Sequence, residues 1–66
     1  MSRLETIQRE IANVVRTLHT EAAGQKPVDV AAWAEVTLRR DQGAPWAIAW
    51  IKNGYLEPPS WMLRGT

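Results

Sequence analysis

His19 is the only imidazole in the chain, and no cysteine offers a thiolate. General-base and nucleophilic chemistry therefore converge on one residue. A general base needs a partner that orients it and a pocket that holds its substrate. Thr20 and Glu21 are close to His19 in sequence, but helical spacing sends them to other faces. His19 itself falls at the edge of an apolar stripe, where the ring packs and its nitrogens meet water. The seven carboxylates are scattered and mostly matched with helical cations or caps, so no pair shows the pattern of acid–base chemistry. The four glycines stand at helix ends or at the C-terminus and build no phosphate-cradling loop. Structural zinc takes four ligands of Cys or His type, which one histidine cannot supply. The chain is expected not to be an enzyme, with no catalytic residue, metal site, cofactor or small-molecule substrate.

Binding to a polyanion is the next chemistry to weigh. Eight Lys and Arg face seven Asp and Glu, for a net charge of +1. The signs are evenly mixed until the last third, where Lys52 and Arg64 outnumber Glu57. Non-specific nucleic-acid affinity comes from neutralising phosphates, and this balance argues against a dedicated DNA-binding protein. Arg39, Arg40, Lys52 and Arg64 are nonetheless the side chains placed to contact phosphate. Two helices joined through "DQGAP" could form a helix-turn-helix. The stretch "WIKNGYLEPP", Trp50 to Pro59, resembles the junction after the recognition helix in excisionase-type and MerR-like winged-helix proteins. There a helix ending in a Trp-Ile pair runs through a glycine into a short Pro-containing wing. The resemblance covers about ten residues and implies DNA binding by a small transcriptional regulator. Against it, "WAIAWIKN" offers only Lys52 and Asn53 to base edges, where a recognition helix needs polar and basic side chains.

The third chemistry is apolar. Three of the four tryptophans fall in "PWAIAWIKNGYLEPPSWM", which also holds six consecutive apolar residues, Trp46 to Ile51. Tryptophan and tyrosine are enriched at binding hot spots because they bury much area and keep one polar handle. Trp46, Trp50, Ile51, Tyr55, Trp61 and Met62 are the expected partner-binding residues.

The elements that must position these groups are helices. Ser2 and Glu5 form the S-x-x-E pattern of a capping box. Leu4, Ile7, Ile11, Val14, Val15, Leu18 and Ala22 then fill a stripe about 100° wide on a helical wheel. This spacing predicts a helix over 3–23, stopped by Gly24. Its aliphatic face offers Ile7, Ile11, Val14 and Leu18 for self-association. That face carries no aromatic residue and the polar face is balanced in charge, unlike a helix that seeks a membrane surface.

Asp29 is a good N-cap for a second helix, with Val28 and Trp33 at the positions of a hydrophobic staple. Val30, Trp33, Ala34, Thr37 and Leu38 give a weaker stripe. The helix is expected over 30–42, with Arg39 and Arg40 in the last turn complementing the dipole and Gly43 ending it. Pro45 suits the first position of a third helix over 45–53, which Gly54 stops. Pro58 and Pro59 then prevent a long helix, so 54–66 reads as an irregular tail.

The fold class is thus all-α: one small three-helix domain, a long N-terminal helix and two shorter ones, with a Pro-containing tail. A chain of 66 residues without disulfide or metal depends on good helix packing or on association. The third helix is apolar all round and needs cover on every side, from the tail, a second copy or another protein. The longest apolar run is far short of the roughly 20 residues that span a bilayer. "MSRLETIQRE" shows no apolar core before a cleavage site, and a cytoplasmic location is expected. The expected function is a small non-catalytic regulator or inhibitor that binds another protein, itself a homodimer.

Overall fold

The computed structural model describes residues 2–21 and 27–64, and the side chains of all of these except 19–21. Helix α1 spans Arg3–Glu21. Ser2 starts it: its hydroxyl oxygen accepts the Glu5 N–H at 3.1 Å, and its carbonyl accepts the Thr6 hydroxyl at 3.2 Å. The first of these satisfies a backbone donor that an uncapped first turn leaves to water. The expected continuation to residue 23 and the stop at Gly24 lie outside the described residues.

Helix α2 spans Val30–Arg39. The Asp29 carboxylate accepts the Ala32 N–H at 3.1 Å, and Val28 packs against the core as the staple requires. The C-terminus corrects the expected one. The helix stops three residues before Gln42, because Asp41 adopts a left-handed φ of 56°. The Asp41 N–H bonds the Leu38 carbonyl at 3.0 Å and the Gln42 N–H bonds Thr37 at 2.9 Å, the two reversed bonds of a Schellman stop. Aspartate is among the few residues that enter this region readily. An ion pair with Arg3 at 2.9 Å ties Asp41 to the start of α1.

Gly43 is therefore no helix stop. It is extended, φ −96° and ψ 166°, and serves as the N-cap of α3, Ala44–Lys52. Pro45 falls at the second helical position, one later than expected, where its missing N–H still leaves no intrahelical bond unmade. Gly54 ends α3 as the sequence predicts. Its φ is 104°, and the Gly54 and Tyr55 N–H groups return to Ile51 and Trp50, a second Schellman stop.

The tail departs from the irregular form expected of it. Pro59 has a polyproline-like φ of −57° and ψ of 152° and opens a one-turn helix α4, Ser60–Leu63. The Met62 N–H reaches the Pro59 carbonyl at 2.9 Å. One turn is too short to hold itself, so burial must hold it, and Met62 is 2 % exposed.

The four helices and the absence of strands among the described residues make an all-α fold. α1 lies across both α2 and α3, which also pack on each other. Ile7, Ile11 and Val15 of α1 enter the core at four-residue spacing. Trp33, Ala34, Val36 and Thr37 meet them from α2, and Ala44, Ala47 and Ile51 from α3. The three alanines let backbones approach closely around Trp33, whose indole is fully buried. Burying so large a ring stabilises the fold by roughly 5 kcal/mol before entropy is counted. The Thr37 hydroxyl, buried among these groups, donates to the Trp33 carbonyl at 2.6 Å. No helix among the described residues is long and apolar enough to cross a membrane.

Candidate protein-binding surface

α3 resolves its own anomaly by being covered on two sides. Ala47 and Ile51 face the other helices and are buried, while Trp46, Ile48 and Trp50 are half-buried. Trp50 is the hub of an aromatic cluster. Its ring centroid lies 6.4 Å from Trp33, 6.4 Å from Trp46, 4.9 Å from Tyr55 and 6.3 Å from Trp61. Three of these four contacts are edge-to-face, the arrangement the ring quadrupoles favour. Trp33 and Trp46 close the group edge-on at 6.2 Å.

Tyr55 and Trp61 belong to the tail, so the protein's own tail covers Trp50. Gly54 turns the chain back, and 55–63 then runs along α2. The Leu56 carbonyl accepts the Asp29 N–H at 2.9 Å. The Tyr55 carbonyl accepts the Trp33 indole N–H at 3.3 Å. At the far end, the Arg39 guanidinium donates to the Leu63 carbonyl at 3.4 Å, and Arg40 lies over the Trp61 ring at 5.4 Å. A cation above an indole face is attracted by its quadrupole.

Having been anchored, the tail still leaves large apolar groups outside. Tyr55 is 43 % exposed, Trp61 53 % and Leu63 48 %. Beside them Ala49, Trp50, Asn53 and Tyr55 line a shallow open depression of about 430 Å³. Trp50 joins the two parts, because Tyr55 and Trp61 both abut its ring. The result is one aromatic face, and the tail that builds it is fixed by both ends.

The partner-binding residues expected from sequence therefore divide. Trp46, Trp50, Tyr55 and Trp61 gather in the cluster. Ile51 and Met62 instead lie in the chain's own core, 5 % and 2 % exposed. Leu63 joins the exposed apolar groups, and its sequence signal is slight, the last residue of a helix too short to show periodicity. Of the self-association stripe, Ile7 and Ile11 are enclosed by the chain's own helices and offer no surface. Val14 and Leu18 are half-buried at its margin.

The cations divide as well. Arg39 and Arg40 at the end of α2 lie against α4, Arg39 on the Leu63 carbonyl and Arg40 over the Trp61 ring, and Arg64 follows Leu63 in the chain. Lys52 stands at the opposite end of α3, nine residues long and so about 13 Å away along the axis. The side chain of His19 lies outside the described ones. Among the described residues the Asp29 carboxylate is engaged as a cap and Asp41 is paired with Arg3. No group of three or more metal-ligating side chains comes together among them.

No family model, curated protein or solved structure matches this chain. The likeness of Trp50–Pro59 to excisionase-type and MerR-like proteins thus stands on that short motif alone. Its first half is present, since α3 ends in Trp50-Ile51-Lys52 and turns at Gly54. Its second half departs, because the Pro-containing segment leads into α4 and the described residues contain no wing strand. Asn53, one of two polar groups offered to a base, donates its side-chain amide to the Ala49 carbonyl at 2.8 Å.

Proposed function

We propose that this chain is a small non-catalytic regulator or inhibitor of the cytoplasm that binds another protein through its aromatic face. The observation that carries the reading is the exposure of Tyr55, Trp61 and Leu63 on a tail held at both ends. Exposed apolar groups of this size on so small a protein favour association. Anchoring them beforehand lowers the ordering entropy that binding must overcome. The rings of Trp50 and Trp61 supply the area of a hot spot, and their polar edges supply its direction.

A DNA-binding role draws on Arg39, Arg40 and Arg64. The outward side of α3 supports it little: beside Pro45, Trp46, Ile48, Ala49 and Trp50 it carries a single basic group, Lys52, where base reading draws on several polar and basic side chains.

Photo-crosslinking of the full chain tests the proposal. Leu63→p-benzoylphenylalanine leaves the cluster intact, and Asn13, exposed on α1, is the control position. A discrete adduct to another protein from position 63 and none from position 13 is the expected result. Equal labelling from both positions, or none from 63, would refute the reading. Light scattering of the untreated chain separates a heterologous partner from a second copy.

A further inference from the structure

The exposed aromatic face is not electrically neutral. Arg39 and Arg40 lie against Leu63 and Trp61 and Arg64 follows Leu63 in the chain; all three are exposed, and none forms an ion pair with a carboxylate among the described residues. Arg39 is occupied by a main-chain carbonyl and Arg40 by an indole face, neither of which cancels a charge. Of the carboxylates on or beside α2, Asp41 is paired with Arg3, and Glu35, one turn before Arg39, is exposed and forms no ion pair with it. The C-termini of α2 and α4 place partial negative charge here, but a helix end carries about half a charge, and three full cations exceed it.

We infer that the occupant of this face is an acidic, apolar segment of another protein, with its apolar side chains on Trp61, Leu63 and Trp50 and its carboxylates on Arg39, Arg40 and Arg64. This rests on the protein-binding reading above and adds the chemistry of the partner. The charges also decide against a second copy. A two-fold interface presents the same patch from both sides, so the arginines of both copies would be gathered into one interface, and like charges across an interface oppose it. Nucleic acid is the other polyanion to weigh. Its affinity grows with the number of phosphates neutralised, and three cations around four large apolar side chains provide little of that and much apolar area.

Fluorescence anisotropy on the full chain tests this, with labelled synthetic peptides as probes. One carries Asp and Glu with Leu and Phe at helical spacing, a second has Gln in place of the acids, and a third has Lys. Oligothymidylate of equal length is the nucleic-acid probe. The acidic peptide should bind best, and its affinity should fall as salt is raised. Exposed charges act mainly through association rate, each contributing modestly. Arg39→Glu and Arg64→Glu should each weaken binding about three- to tenfold, and Lys52→Glu, the same change in net charge at the other end of α3 from the arginines, less than about twofold. Arg64→Glu leaves the Arg39–Leu63 bond in place, so a loss seen in both variants does not come from a released tail. Equal binding of the Gln peptide, unaffected by either variant, overturns the acidic partner and leaves the docking face standing. Tighter binding of oligothymidylate overturns it in favour of nucleic acid. Binding of none of the probes overturns this inference, and the crosslinking at position 63 then decides the broader reading by itself.

Discussion

Met62→Ala asks whether the tail belongs to the cooperative fold or merely rests on it. The side chain is 2 % exposed, while Leu63, the next residue, is 48 % exposed. Truncation at Met62 removes three heavy atoms, worth about 0.8 kcal/mol per methylene equivalent. A residual cavity adds about 24 cal/mol per Å³. The expected loss is about 3 kcal/mol, inside the usual range of about 2–5 kcal/mol for Met→Ala in a core. A chain of 66 residues has a total stability of roughly 3–10 kcal/mol, so one substitution on a one-turn helix removes a third or more. Leu63→Ala should change stability by less than about 0.5 kcal/mol. Urea titration followed by indole emission gives both values, and amide exchange in α1 shows whether the whole fold shares the loss. If Met62→Ala leaves α1 exchange unchanged, or equals Leu63→Ala, the tail is an appendage and the core assignment is wrong.

Two further substitutions test the helix ends. Asp29→Ala removes the acceptor of the Ala32 N–H at the entrance of α2 and should lower stability by about 1 kcal/mol in the same titration. Asp41→Asn should be nearly neutral, because asparagine also tolerates positive φ and the pair with Arg3 is largely solvent-exposed. Asp41→Val should cost about 1–2 kcal/mol, since a branched side chain resists the left-handed region. Equal melting of the Asn and Val variants would show that the backbone at 41 does not determine where α2 stops.

Local chemistry made much of the fold readable. Ser2, Asp29 and Gly54 each act within four residues of themselves, and all three do what their types dictate. Gly43 misled because a glycine after a helix favours a stop, yet aspartate two residues earlier took the left-handed position. Asp41 also meets Arg3, 38 residues away, a contact no local pattern contains. α4 was hidden for a related reason: one turn following two prolines has no stability until Met62 finds the core. The site was half legible. An all-apolar α3 demands cover, and the sequence marks the residues that need it. Met62 ends inside because of the path of the chain after Gly54, and the same path brings Leu63 and Trp61 to Arg39 and Arg40.

Five aromatic rings within 6.4 Å of a neighbour have an optical consequence. Indoles this close share their excited states, so the far-ultraviolet circular dichroism contains an exciton contribution superimposed on that of the helices. Displacing Trp61 from Trp50 would alter that spectrum with every helical hydrogen bond in α1, α2 and α3 still made. In this protein a band ordinarily read as helix content is partly a gauge of whether the tail is docked. The same coupling would make any change of surroundings at Trp61 visible without a label.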